Sequence, residues 1–133
     1  MSSTTRSRIG ALCLVVVPTT DQDRAIDFYV DHLGFEKRTD VPFGDSYRWV
    51  EVYPPSGTAG IALAPPREGV DPVGISTGIT LATADIDASH AHLKSRGVDV
   101  DAEVSRMGGP VPPMFWFRDP DGNSLIVVEQ QES

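Results

Sequence analysis

The sequence is poor in cysteine and in basic residues. Its 133 residues include one cysteine, Cys13, so the chain can form no internal disulfide and carries no cysteine-based metal motif. Asp and Glu number 19 against 11 Lys and Arg, and the net charge is −8. Because the acidic residues are dispersed and the sequence has no basic run, nucleic acid and anionic membranes are disfavoured as partners. A neutral or cationic small ligand suits this charge better.

Long apolar segments are also missing. The apolar run from Ala11 to Val17 is far shorter than a transmembrane helix, and the polar segment Met1 to Arg8 lacks the small-residue cleavage site of a signal peptide. We therefore expect a soluble, cytoplasmic protein that does not associate with membranes. Cys13 lies within the apolar run, which predicts a buried and unreactive thiol.

What the sequence does contain is an internal repeat. Thr19 to Asp23 (Thr-Thr-Asp-Gln-Asp) opens a helical segment that closes at Gly34, and the similar segment Thr83 to Asp87 (Thr-Ala-Asp-Ile-Asp) opens another that closes at Gly97. In the first copy, Thr20 is expected to cap a helix that runs to about Leu33. Two copies of one unit normally pack about a pseudo-twofold axis, so equivalent positions should surround a shared cavity.

Predicted strands flank the two predicted helices. By apolar patterning and β-branched content, the strands are expected at Ala11–Val17, Phe35–Val41, Tyr47–Tyr53, Gly60–Ala64, Ile79–Thr83, Val98–Val104, Met114–Phe117 and Ser124–Val128. The segments 54–57 and 119–123 have the composition of hairpin turns. The order is βαβββ twice within a single domain, 1–133. The first module covers residues 9–64, a linker rich in proline covers 65–75, and the second module covers 76–130.

Two segments carry a family resemblance. Asp23 to Phe35 contains Asp-Arg-Ala-Ile-Asp-Phe-Tyr and Leu-Gly-Phe, and Phe117 to Asn123 reads Phe-Arg-Asp-Pro-Asp-Gly-Asn. Together they closely resemble the vicinal oxygen chelate superfamily, which includes glyoxalase I, extradiol dioxygenases, and fosfomycin- and bleomycin-resistance proteins. The resemblance extends from about Ile9 to Glu129. It implies an α+β fold in which two βαβββ modules related by pseudo-twofold symmetry form a cup-shaped mixed sheet. A homodimer is also implied.

The second motif imitates the start of a calcium loop. Asp119, Asp121 and Asn123 have the spacing of the first three EF-hand ligands. The later positions contradict that interpretation, since Ser124 stands where the loop needs glycine and Gln130 stands where it needs a bidentate glutamate. We interpret the segment as a turn.

The metal site of the resembled family is not supported by this sequence. Members that use a metal carry four ligands, usually His, Glu or Gln, on four strands lining the cup. By resemblance, these positions are occupied by Leu14, Ala62, Gly78 and Ile126. None of these side chains has a donor atom for a divalent cation, and a shift of one residue recovers no ligand set. We therefore predict no metal and no other cofactor.

The remaining candidates for catalysis are weak. His32, His90 and His92 fall in the predicted helices, away from the cup, which favours solvated or rim positions over metal binding. No Ser, His and Asp arrangement with a nucleophile elbow is present. The catalytic residues are unknown, with Glu51 a weak candidate for a general base.

Strand alternation predicts what lines the cup. With Ala62 and Ile126 inward, Ile61, Leu63, Leu125 and Val127 face the helices. Hairpin pairing then places Trp49 and Glu51 near Ala62, and Met114 and Trp116 near Ile126. The predicted ligand-binding residues are Leu14, Trp49, Glu51, Ala62, Thr80, Met114, Trp116 and Ile126. The alternatives are that the tryptophans fill core and that Glu51 is an exposed strand residue.

Two functions fit this sequence best. The leading hypothesis is a metal-independent binding protein, similar to bleomycin-resistance proteins, that sequesters an apolar or cationic small molecule. The alternative is a glyoxalase-like lyase or isomerase with a relocated metal, or an enzyme that uses Glu51 as a base without metal. A role chiefly in dimerisation is a third possibility.

Overall fold

The computed structural model describes residues 7–45, 47–66 and 73–130. It contains strands β1 (Leu14–Pro18), β2 (Glu36–Phe43), β3 (Tyr47–Tyr53), β4 (Gly60–Ala64), β5 (Ser76–Thr83), β6 (Asp99–Val100), β7 (Met114–Arg118) and β8 (Ser124–Glu129). Helix α1 (Gln22–Asp27) continues directly into a π-helical turn, Phe28–His32, and helix α2 (Ile86–Ser95) follows β5. No helix within the described ranges is both long and apolar enough to cross a membrane.

The strands form two four-stranded mixed sheets. Sheet 1 has the order β1-β4-β3-β2 and sheet 2 has the matching order β5-β8-β7-β6. In each sheet the first pair is parallel and the other two are antiparallel. The predicted α+β fold with two similar units is therefore confirmed. The sheet does not close into a cup within one chain, because the two sheets remain separate in the described part of the structure.

One apolar core joins the two sheets. It contains Val50, Val52, Ile61 and Leu63 from sheet 1, and Phe115, Phe117, Leu125 and Val127 from sheet 2. The ring of Phe28, in the π-helical turn, lies 6.2 Å from that of Phe117. The predicted helix-facing residues of β4 and β8 all lie in this core. Because successive strand residues point to opposite faces, the alternate residues of both sheets point away from it.

The start of α1 differs from the prediction. Asp21, not Thr20, is the N-cap, since its carboxylate accepts a 3.1 Å hydrogen bond from the backbone N–H of Arg24. The hydroxyls of Thr19 and Thr20 donate instead to Asp121, at 2.6 and 2.7 Å. The hydroxyl of Thr20 therefore bonds to the other module and does not cap the helix.

The predicted ends of the helices are confirmed. Gly34 and Gly97 follow the π-helical turn and α2 with φ of 79° and 78°. This left-handed conformation is favourable for glycine and terminates a helix. Asp85 caps α2 as Asp21 caps α1, because its carboxylate accepts a 3.0 Å hydrogen bond from the N–H of Ala88.

Two strand predictions are wrong at their edges. Pairing of β1 with β4 begins at Leu14, so Cys13 precedes the sheet and its thiol is exposed rather than buried. The strand predicted at Val98–Val104 is reduced to β6. It ends there because the carboxylate of Asp101 accepts the N–H of Trp116 at 3.2 Å, which interrupts the ladder with β7. Of the predicted linker, residues 67–72 lie outside the described residues.

Candidate functional site

The outward side of sheet 1, which we call face 1, carries one half of the predicted site. Register places Val16, Ala62, Glu51 and Thr39 side by side across its four strands. The prediction that Glu51 lies near Ala62 is thus confirmed, and the register makes the two direct partners. Leu14 lies two residues before Val16 on the same face, while Trp49 and Tyr53 flank Glu51 along β3. Face 1 therefore comprises Leu14, Val16, Thr39, Val41, Trp49, Glu51, Tyr53 and Ala62.

Glu51 is the polar centre of face 1. Its Oε2 accepts a 2.7 Å hydrogen bond from the indole N–H of Trp49, and its Oε1 accepts a 2.8 Å bond from the hydroxyl of Tyr53. All three side chains are half-buried. Each carboxylate oxygen is thereby oriented by one neutral donor, which fixes the group without neutralising its charge.

Tyr53 and Arg38 extend this arrangement towards the edge of the sheet. The hydrogen bond to Glu51, with some burial, raises the pKa of Tyr53 and keeps its hydroxyl a donor. The guanidinium of Arg38 lies 4.4 Å from the centre of the Tyr53 ring and forms a 2.9 Å ion pair with Glu36. Sequence reasoning missed both residues. The signal for Tyr53 was its position two residues after Glu51, which puts it on the same face.

The outward side of sheet 2, which we call face 2, carries the other half. Register places Thr80, Ile126 and Trp116 side by side, and Met114 lies two residues before Trp116. The prediction that Trp116 lies near Ile126 is confirmed, and the register makes the two direct partners. Arg118, at the end of β7, forms ion pairs of 3.0 and 2.9 Å with Asp99 and Asp101. Face 2 therefore comprises Thr80, Ala82, Met114, Trp116, Arg118 and Ile126.

The two faces point away from the common core, so one chain does not bring them together. Trp49 and Glu51 lie on one outer surface of the chain, and Met114 and Trp116 lie on another. The two halves of the lining that the sequence analysis expected to be shared therefore lie on separate surfaces of one chain. Face 1 and its margin also leave apolar side chains in water, since Val16, Val41 and Phe43 are 57%, 49% and 53% exposed.

A separate cleft of about 440 Å³ lies on the helical side, between the π-helical turn and α2. Buried Phe35, Leu93 and Phe117 form part of its wall, and His32 and His92 lie beside them. The Nδ1 atom of His32 accepts a 3.2 Å hydrogen bond from Arg96. The described residues that line this cleft include no carboxylate, whereas face 1 combines aromatic rings with an oriented carboxylate.

The histidines occupy the positions expected from the sequence. The ring of His90 packs edge-on against Phe115 with centroids 5.0 Å apart, and its Nε2 contacts the backbone oxygen of Asp101 at 2.7 Å. His92 is exposed on α2 and His32 is half-buried in the π-helical turn. All three are on the helical side of the sheets, away from face 1 and face 2.

The Asp-Pro-Asp-Gly-Asn segment forms a junction between the modules. Its turn is closed by a 2.8 Å bond from the N–H of Gly122 to the oxygen of Asp119. The side chain of Asn123 donates to the oxygen of Pro18 at 2.8 Å and accepts from the N–H of Gly74 at 2.9 Å. With these bonds made, the segment is a structural turn, as the sequence indicated, and it also fixes β1 against sheet 2.

A sequence model of the glyoxalase/bleomycin resistance protein/dioxygenase superfamily matches residues 11–127. The chain belongs to this superfamily. A member of the same superfamily from Sphaerobacter thermophilus is 38% identical, with a TM-score of 0.84 over 92% of this chain and 98% of that one. TnmS3, an antibiotic binding protein from Streptomyces sp. CB03234, is 33% identical, with a TM-score of 0.81 over 95% of this chain and 100% of that one.

A curated relative adds no assigned activity. YurT of Bacillus subtilis, described as uncharacterised, is 31% identical over 119 residues, which cover 83% of this chain and 91% of YurT. Membership of the glyoxalase/bleomycin resistance superfamily therefore supports a role in ligand binding, while the chemistry must be argued from the site.

The side chains at the superfamily's metal positions do not fit a metal. Leu14, Ala62 and Ile126 present hydrocarbon to the outer faces, and Gly78 has no side chain and a φ of 70° at an irregularity in β5. The part of the chain that the structure describes contains no group of three or more His, Cys, Asp or Glu side chains able to hold an ion. Glu51 already takes two hydrogen bonds, and no second acidic or imidazole ligand stands beside it in its row, where its neighbours are Ala62 and Thr39.

Proposed function

We propose that this protein is a metal-independent small-molecule-binding protein that sequesters an apolar or cationic ligand in the cytoplasm. The observation that carries the proposal is the Trp49–Glu51–Tyr53 arrangement on face 1, where an oriented carboxylate lies among aromatic rings. Apolar and aromatic surface with a few fixed polar groups is typical of small-molecule sites. The similarity to TnmS3 supports this function and favours an antibiotic-like ligand.

We further propose that the ligand site is completed by a second copy of the chain. A ligand enclosed between Trp49 and Trp116 requires face 1 and face 2 to oppose each other, and within one chain they point away from each other. A twofold dimer in which face 1 of each copy meets face 2 of the other would form two equivalent clefts. It would also cover the apolar side chains of Val16 and Val41.

Binding is tested with two probes of the same shape, phenyltrimethylammonium and tert-butylbenzene. We expect at least one of them to bind the parent protein in an NMR titration. Trp49→Ala and Trp116→Ala should each weaken that binding about tenfold or more, as expected for loss of an aromatic wall. The matched control is His92→Ala, on the helical side, which should bind as the parent does. Unchanged binding by both tryptophan variants would show that the site is elsewhere.

The shared cleft is tested by mixing the two tryptophan variants. Each variant alone has two defective clefts. In a mixed dimer, one cleft receives Trp49 from one copy and Trp116 from the other, and is intact. With random exchange, about a quarter of all clefts should regain parental affinity. No recovery, despite subunit exchange shown by mass spectrometry, would contradict a cleft built from two copies.

Metal independence is tested by elemental analysis and by binding in the presence of EDTA. The protein purified without chelator should contain no stoichiometric divalent metal, and probe affinity should be the same with and without EDTA. A bound ion whose removal abolishes probe binding would favour the enzymatic alternative, and turnover of 2-oxoaldehyde hemithioacetals would then be measured with Glu51→Gln as the control.

A further inference from the structure

The carboxylate of Glu51 is oriented by neutral groups alone among the residues that the structure describes. Both of its hydrogen-bond donors, the indole of Trp49 and the phenol of Tyr53, are neutral. Among the described residues, Glu51 forms no salt bridge with any Lys, Arg or His. Arg38, a cation on the same margin of the sheet, pairs with Glu36 and lies over the ring of Tyr53.

The neighbours of Glu51 across the sheet are small. Its partners across the sheet are Ala62 on β4 and Thr39 on β2, both with short side chains. Tyr53 is held over β4 by a glycine, because a Cβ atom at Gly60 would stand 2.7 Å from the Tyr53 ring. Short side chains therefore lie on both sides of a carboxylate that two aromatic side chains orient.

This combination selects for positive charge. Covering an ionised carboxylate with a neutral apolar ligand removes water from it without compensation, which is unfavourable. A cationic nitrogen placed beside the carboxylate would gain from its charge and from the indole ring of Trp49, while the ring of Tyr53 already has the guanidinium of Arg38 over it. The net charge of −8 would also attract a cation from solution.

We propose that the ligand carries a quaternary or protonated amine attached to an apolar group, and that Glu51 selects it by charge. This proposal rests on the proposed binding function and names the ligand class of the same site. Trp49 and Tyr53 then act as positioning residues that hold the carboxylate, and the indole ring of Trp49 lies beside the cation.

The test compares phenyltrimethylammonium with tert-butylbenzene, which differ by one nitrogen and one positive charge. We expect the parent protein to bind the cation about tenfold or more tightly than the neutral probe, and the indole N–H resonance of Trp49 to shift on binding the cation. Glu51→Gln keeps the size of the side chain and should reduce the preference to about onefold, because the cation binds more weakly and tert-butylbenzene, which no longer covers a charge, binds at least as tightly as to the parent.

A second pair of variants keeps Glu51 in place. Thr39→Lys puts a permanent ammonium group opposite the carboxylate and should abolish the preference for the cation. Thr39→Met, of similar size but neutral, should retain it. Both substitutions are on the edge strand β2, so they test the proposal even if Glu51→Gln does not fold.

The outcomes separate the two proposals. If both probes bind equally and Trp49→Ala weakens both, the binding function stands and selection by charge is overturned. A preference that survives in both Glu51→Gln and Thr39→Lys also overturns it. If neither probe binds at millimolar concentration, both proposals fail.

Discussion

The hydroxyl of Tyr29 donates a 2.8 Å hydrogen bond to Oδ2 of Asp119, 90 residues further along the chain. Tyr29 is completely buried and Asp119 is 6% exposed. Each residue belongs to one of the two motifs that carry the family resemblance, so the motifs are in contact. Burial, followed by the charge of Asp119, raises the pKa of Tyr29 far above its ordinary value, and the phenol remains a donor throughout the usual pH range.

Tyr29→Phe should destabilise the protein by about 1.5–3 kcal/mol, because a hydrogen bond to a buried charged group is lost. The remaining partner of that oxygen is the side-chain amide of Asn123 at 3.0 Å. Urea denaturation followed by circular dichroism measures the change. Tyr47→Phe is the matched control, since Tyr47 is only half-buried and is the first residue of β3. Equal stability of both variants would show that the contact contributes little.

Asp121 should make stability depend on pH in acid. Burial tends to raise the pKa of its carboxyl, but hydrogen bonds from Thr19 and Thr20, together with Arg24, outweigh burial and lower it. A carboxyl whose pKa is lower in the folded state stabilises the protein above its ordinary pKa of 3.8, and this contribution is lost as pH falls through the folded value.

Asp121→Asn should therefore be less stable than the parent at pH 7, and the difference should shrink as the pH falls below about 4. Thermal unfolding midpoints between pH 7 and pH 3 measure it. Asp87→Asn, at a carboxylate that is 72% exposed, should change stability by less than about 1 kcal/mol. A pH-independent deficit in Asp121→Asn would assign its effect to packing instead of charge.

Gly60→Ala should destabilise the fold and change the arrangement of side chains on face 1. The new Cβ would stand 2.7 Å from the Tyr53 ring and 2.8 Å from the backbone oxygen of Val52, and the latter cannot move freely. We expect a loss of about 1–3 kcal/mol from overpacking, with Tyr53 displaced from Glu51. Probe binding and urea denaturation measure these effects. Gly10→Ala is the control, because no atom lies within 4 Å of the added methyl group.

The register of face 1 and face 2 could be predicted from the sequence because it depends on local signals. Alternation along β3 and β4, with a tight turn between them, was sufficient to pair Glu51 with Ala62. The same reasoning paired Trp116 with Ile126. Residues without such a signal were predicted less well, and Arg38 is an example, since it lies at an irregularity in β2.

Contacts between the modules could not be predicted in this way. Thr20 has the residue type and spacing of an N-cap, yet its hydroxyl bonds to Asp121, 101 residues away, and Asp21 caps the helix. Both arrangements satisfy local hydrogen-bonding rules, so the choice between them depends on where the second module lies. The burial of Cys13 was predicted wrongly for a related reason. β1 begins at Leu14, which pairs with Gly60 in β4, and local sequence does not reveal where this pairing starts.

The sequence by itself determined the two repeated units, the helix ends at Gly34 and Gly97, and the lack of donor side chains at the four positions that the family resemblance assigns to a metal. These features follow from residue type and short-range periodicity. Only the tertiary structure decided that face 1 and face 2 point outward from one core, and that Glu51 is held by Trp49 and Tyr53 with no salt bridge to another described residue. Strand alternation defines two faces of each sheet, but packing of the two sheets against a common core determines which neighbours each face can have.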